Sequence, residues 1–165
     1  MMLRTTLIAS IALLFGAAAA SAQMKGTSKG NYATMQPALD TMKTADGTML
    51  IGGHYTQVTF ANDATSPLNN TKDKCNSLMV VGKDGKTVSY SGSCFGLDAA
   101  GNGESFWWRQ TEAASATCPS FCGVWGFFSG SGKFANITGG GTWKAAAAFA
   151  DGTGMGTWEG SYETK

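Results

Sequence analysis

The sequence predicts an all-β protein, an antiparallel eight-stranded barrel (or a closely related sandwich) held by disulfides. Three observations lead there. Glycine is abundant, at 23 of 165 residues, while aromatic residues make up 11% and include five tryptophans. Short apolar runs recur at even spacing between Gly, Asp and Asn clusters, which supply turn chemistry. No convincing helical segment interrupts them, and such a pattern belongs to sandwiches and barrels. Charged residues are only 14% of the chain, against roughly 25% in an average domain. Low charge with many aromatics excludes a disordered chain. A formal charge of +1 leaves nothing to neutralise a phosphate backbone, so nucleic acid is not an expected partner.

The first 22 residues read as a secretory signal. Arg4 gives the positive start, Leu7 to Ala20 is apolar, and Ala20-Ser21-Ala22 is a small-x-small cleavage site. The apolar run is shorter than the roughly 20 residues of a spanning helix, so stable membrane insertion is not expected. The expected location is outside the cytoplasm, periplasmic or extracellular. Without Arg4 the chain carries eleven bases against eleven acids. Residues 23–46 are polar and aperiodic, and read as a flexible leader or covering arm, with a weak signal for a helical turn near Met35 to Leu39. Residues 47–165 form the expected barrel domain. Its strands are expected near 47–60, 76–82, 86–95, 103–112, 123–128, 133–138, 141–149 and 154–163. Eight strands can close on themselves and so remove exposed edges.

Two hairpins take a register from their turns. Asp84-Gly85, read as a two-residue turn, sets Val81 against Val88, Met79 against Tyr90, and further out Cys75 against Cys94. Directly opposed residues lie within disulfide reach, so Cys75–Cys94 is the expected crosslink and Cys118–Cys122 the remaining one. The crosslinked face, with Met79, Val81, Val88 and Tyr90, is then the buried face. A zinc site is the alternative, but closely spaced ligand pairs occur only once and an exported protein sits in an oxidising compartment. No metal and no cofactor is expected. The second turn, Asp151-Gly152, places Trp143, Ala145, Ala147, Phe149, Gly154, Gly156, Trp158 and Tyr162 on one face, makes Trp143 and Trp158 diagonal neighbours, and sets Lys144 opposite Glu159. A brief repeat, Gly141-Thr142-Trp143-Lys144 and Gly156-Thr157-Trp158-Glu159, marks two strands meeting one packing problem.

The stretch from Ser129 through Gly132-Lys133-Phe134-Ala135-Asn136-Ile137-Thr138 to Gly141-Thr142-Trp143, then Asp151-Gly152-Thr153-Gly154 and Trp158-Glu159-Gly160-Ser161-Tyr162, resembles small exported bacterial barrels of the allene-oxide-cyclase-like (calycin-like) group. Cys75 and the loop from Asp98 to Glu104 share in it, so it covers about residues 47–165. The resemblance implies a calycin-like barrel whose cavity takes an apolar ligand. It carries no catalytic residue over. The Cys118–Cys122 insertion departs from the pattern, as does Asn136 in place of glycine, although Asn tolerates the left-handed conformation.

Candidate site residues are few. His54 is the single histidine. It alternates with Thr56, Val58 and Phe60, and would act as acid or base if that face lines the cavity. In Phe106-Trp107-Trp108-Arg109, alternation puts Trp107 beside Arg109. Together they suit an anionic or aromatic ligand, or else form a tryptophan seal with the guanidinium lying over it. Tyr90 is a further candidate contact from the crosslinked face. Glu104 and Glu159 are candidate paired carboxylates, but Glu159 already has a partner in Lys144, so a surface role is favoured for it. Residues 61–74 form a long polar loop that would serve as a lid at the barrel mouth. Gly130-Ser131-Gly132-Lys133 lacks the spacing and following helix of a phosphate loop and reads as a turn. The expected function is non-catalytic binding of a small apolar or aromatic molecule. The alternatives are an isomerase or cyclase that holds and folds its substrate, and an envelope interaction or inhibitor protein with a filled barrel.

Overall fold

The computed structural model describes residues 23–149 and 151–165, and the expected signal segment lies outside the described residues. The described residues form eight strands: β1 (Lys25–Lys43), β2 (Met49–Ala61), β3 (Thr71–Val81), β4 (Thr87–Leu97), β5 (Gly103–Glu112), β6 (Cys122–Gly130), β7 (Thr138–Ala148) and β8 (Thr153–Glu163). Each pairs antiparallel with the next, and β8 returns to β1, closing the barrel. The expected class holds, but two of its parts change places. The expected leader 23–46 is β1, and the expected strand 133–138 is a 3-10 turn at Gly132–Phe134 with its continuation.

β1 escapes a hydrophobic reading because its inward residues are small or polar. Exposure alternates strictly along Lys25 to Gln36, with Gly26, Ser28, Gly30, Tyr32, Thr34 and Gln36 pointing inward. Glycine is required at Gly30, where a Cβ would fall 1.9 Å from the Phe60 carbonyl oxygen. The ladder to β2 shifts between Met35 and Ala38, where Pro37 has no N–H to donate. The expected helical turn there is extended strand. In the other exchange, Phe134 and Ile137 are both buried. Their spacing of three suits a turn that plugs the barrel end, and Asn136 makes the reversal at φ 56°.

Four hairpin connections share one plan. The pairs Thr44–Thr48, Gly82–Lys86, Asp98–Asn102 and Phe149–Thr153 each close a five-residue turn whose fourth residue is glycine. Those glycines, Gly47, Gly85, Gly101 and Gly152, all have φ between 78° and 90°. This is the three-residue loop with a left-handed glycine rather than the two-residue turn read from the Asp-Gly pairs. Each Asp before the glycine receives a backbone N–H two residues on: Asp46 from Thr48, Asp84 from Lys86 and Asp151 from Thr153.

The longer turn moves the register by one residue, and a bulge between Val80 and Val81 moves it back. Cys75 therefore does face Cys94, and Met79 does face Tyr90, but Val81 faces Thr87. Val88, expected on the buried face, is 71% exposed. In the β7–β8 hairpin the turn and a bulge between Ala145 and Ala147 add instead of cancelling. Trp143 stands directly opposite Trp158, and Lys144 faces Thr157 rather than Glu159. A slip of two residues preserves which face points inward, so the predicted inner face survives the error in pairing.

Both expected disulfides form. Cys75–Cys94 joins α-carbons 4.0 Å apart across β3 and β4, and Cys118–Cys122 pins the β5–β6 loop with α-carbons 5.8 Å apart. In an up-and-down barrel the β2–β3, β4–β5 and β6–β7 loops share one end with the chain termini, and the other four connections share the opposite end. The first end is closed. Leu68 from the β2–β3 loop, Phe134 and Ile137 are buried there. The predicted lid at 61–74 is thus a plug at the sealed end, and its residues from Thr71 onward belong to β3.

Candidate functional site

The barrel interior holds a cavity of about 390 Å³. Its walls are aromatic, and they follow from a pairing rule between strands. Gly92 stands opposite Trp108, Gly123 opposite Trp143, and Gly156 opposite Tyr32. A Cβ at Gly92 would meet the Trp108 ring at 2.6 Å, and one at Gly123 the Trp143 ring at 2.7 Å. Each large ring lies flat across a neighbouring strand because that strand offers no side chain. The rings then meet edge to face. Centroid distances are 4.8 Å for Tyr90–Trp108, 5.7 Å for Trp108–Trp143 and 6.0 Å for Trp125–Trp158, the geometry aromatic quadrupoles favour.

The two ends of the cavity differ. At the open end stand Leu39, Phe121 and Phe149, of which Leu39 and Phe149 are 56% and 51% exposed. Phe121 belongs to the disulfide-pinned loop and packs on Tyr90 at 5.8 Å. At the closed end the floor is polar. Gln57, Asp73, Gly96 and Glu104 are successive partners across β2, β3, β4 and β5, so their side chains form one row on the inner surface. The Cα atoms of Asp73 and Glu104 are thus about 10 Å apart, two strand spacings, with Gly96 between them leaving the space free. The Asp73 carboxyl fills that space, since a Cβ on Gly96 would run into its Oδ1.

Both acids are buried, Asp73 completely and Glu104 to within 4%. Thr59 Oγ1 and Gln57 Nε2 each donate to Asp73 Oδ2 at 3.3 Å. Asp73 Oδ1 and Glu104 Oε2 have no hydrogen-bond partner among the described residues. Burial pushes the Asp73 carboxyl up to about 6. Burial, reinforced by the Asp73 charge, pushes Glu104 up to about 8. The Lys133 ammonium that Glu104 feels is held by Asp98 at 2.7 Å. Burial likewise raises the phenols of Tyr32, Tyr55 and Tyr90 above their ordinary value, so they stay neutral. Two indole N–H groups on the cavity wall, Trp108 Nε1 and Trp158 Nε1, are also without partners.

Among the residues singled out in the sequence, Tyr90 lines the cavity. His54, Trp107 and Arg109 stand on the outer surface. His54 is exposed on β2, on the same outward face as Thr56, Val58 and Phe60, in a groove with Lys74, Asn76 and Ser93. Arg109 lies over the Trp107 ring at 5.9 Å, and Trp107 itself covers Gly126. Glu104 is an interior acid, but its companion is Asp73, while Glu159 is exposed on the outer face. Asp73 was hidden in the sequence because it sits in the polar run read as loop. The one available signal was alternation, since Thr71, Asp73, Cys75 and Ser77 share a face with a predicted buried cysteine.

No protein-family model and no curated protein sequence matches the chain. Among solved structures it is similar to a pterocarpan synthase dirigent protein, with a TM-score of 0.53 and 9% sequence identity over 98% of each chain. At that identity the likeness shows the fold, a closed eight-stranded barrel, and the fold is where the comparison ends.

Proposed function

We propose that this chain is an exported barrel that takes up a small, largely apolar or aromatic molecule and holds it without transforming it. The observation that carries the reading is the aromatic-walled cavity of about 390 Å³, open at one end and sealed at the other. Its size falls within the roughly 300–1,000 Å³ of small-molecule sites. The expectation of a filled barrel is set aside on the same ground. The two disulfides support an oxidising compartment, and no helix among the described residues is long and apolar enough to cross a membrane.

The test is quenching of tryptophan fluorescence by a neutral naphthyl probe. Saturable quenching is expected in the native chain. Ala147→Trp, which fills the cavity from its wall, is expected to abolish it with the fold intact by circular dichroism. Equal quenching in both proteins would remove the reading.

A second reading is an isomerase or cyclase in which Glu104 exchanges a proton with the bound molecule. It is favoured by one observation, a buried carboxyl facing the cavity that keeps its proton near neutral pH. The resemblance to allene-oxide-cyclase-like barrels and the synthase named in the structural neighbour lend it context. Native mass spectrometry of protein from its own source separates the two. A retained molecule recovered unchanged after incubation supports holding, and its conversion supports catalysis.

A further inference from the structure

The geometry points to a lipophilic organic cation, a protonated or quaternary amine on a flat apolar body, as the occupant of this cavity. The inference deepens the binding reading and rests on it.

The first ground is the charge inventory of the interior. Glu104 is the one acidic side chain on the cavity surface, and among the described residues no Lys, Arg or His lines it. Asp73 backs Glu104 from two strands away in the same row, its carboxyl lying over the intervening Gly96. Among the described residues, Glu104 Oε2 and Asp73 Oδ1 are buried and both lack a hydrogen-bond partner. Unpaired buried acids of this kind are costly, and folds keep them paired or coordinated. Here Lys133 does not serve, because its ammonium is held by Asp98. Of the two acids only Glu104 borders the cavity, so a positive charge that balances the pair would arrive there, with Asp73 acting on it from behind.

The second ground is independent of the acids. The walls above Glu104 are the indoles of Trp108, Trp125, Trp143 and Trp158 with the phenol of Tyr90. Indole faces attract cations more strongly than other aromatic faces do, and the attraction grows in a desolvated site. A cation arriving at Glu104 would displace the carboxyl proton to solvent, and the ammonium would then sit under these rings while its apolar body fills the barrel towards Phe121 and Leu39. An anionic ligand finds no base. A neutral carbonyl finds the Glu104 proton but leaves Asp73 without counter-charge. A bare metal ion lacks ligands, since no group of three acids, histidines or cysteines comes together among the described residues.

The experiment is calorimetric titration of the full oxidised chain, at about neutral pH, with three compounds of one shape: phenylbutylamine, phenylbutanol and phenylbutanoate. The amine is expected to bind at least about tenfold more tightly than the alcohol, with the carboxylate weakest. In Glu104→Gln the advantage of the amine over the alcohol is expected to disappear. If the alcohol or the carboxylate binds as well as the amine, the cation assignment fails while the binding reading stands. If Glu104→Gln keeps the preference for the amine, the assignment fails as well. If none of the three binds, both fail. The comparison within the unmodified chain decides the matter should Glu104→Gln not fold.

Discussion

A carboxyl that ionises freely in the unfolded chain but is held neutral in the fold makes stability fall as pH rises. Glu104 moves from an ordinary value of 4.5 to about 8, and Asp73 from 3.8 to about 6. Both native values are raised, so the native state binds more protons across that interval and the slope of stability with pH is negative. Below about pH 3 both groups are protonated in either state and exert no penalty. Between about pH 3 and pH 8 the penalty grows, and above it is complete. The melting temperature is therefore expected to decline from about pH 5 to pH 8. Glu104→Gln is expected to flatten most of that decline and to raise the melting temperature at pH 8. A melting temperature that rises over this range would contradict the placement of the pair. Gln is the informative substitution because it keeps the shape of the side chain and removes only the charge.

At the scale of the element, the tryptophan-over-glycine pairs govern both packing and composition. A Cβ at Gly92 would fall 2.1 Å from the Asn76 carbonyl oxygen as well as against the Trp108 ring. Backbone cannot yield to it as a flexible side chain would. Gly92→Ala is expected to lose about 1–3 kcal/mol in chemical denaturation, the range of overpacked cores. Gly85→Ala meets no atom within 4 Å but must hold φ 78°, which isolates the backbone contribution at about 1 kcal/mol or more. The Cys75–Cys94 bridge spans a sequence separation of 19, so replacing both cysteines by serine is expected to lower stability by about 3 kcal/mol. These elements also show what could be read in advance. Cys75–Cys94 was legible because a one-residue error in the turn was cancelled by the bulge before Val81. The β7–β8 pairing was not, because there the two shifts add. Bulges depend on how a strand bends round the closed sheet, which neighbouring residues in sequence do not encode. The inward faces were safer than the pairings, since burial follows alternation and survives a slip of two.

At the scale of the molecule, closure depends on β1, which joins β8 on one side and β2 on the other. Its sequence looks like a leader, and only the closed sheet explains its small inward residues. Gly26, for instance, lies beneath the Tyr162 ring, where a Cβ would come 2.8 Å from the hydroxyl. Removing residues 23–43 would leave β2 and β8 as bare edges, and such edges pair with other chains. The truncated protein is expected to lose its cooperative melt and to elute as aggregates in gel filtration; a folded monomer would show the strand to be dispensable. The candidate site was less legible than the barrel for a related reason. Its walls come from several strands, and its acids meet only because Gly96 stands between their strands. Of Tyr90, His54, Trp107 and Arg109, Tyr90 alone lines the cavity.

The two ends of the described chain lie side by side, with Met24 donating to the Thr164 hydroxyl and Thr164 donating to the Met24 carbonyl, each at 2.8–2.9 Å. They sit at the plugged pole, a full barrel length from the aperture. A fluorescent reporter or an immobilising tether grafted there would leave the open end unobstructed. The ends are also near enough to be joined, so a circular permutant reopened at Asp84-Gly85 would retain every rung of the ladder.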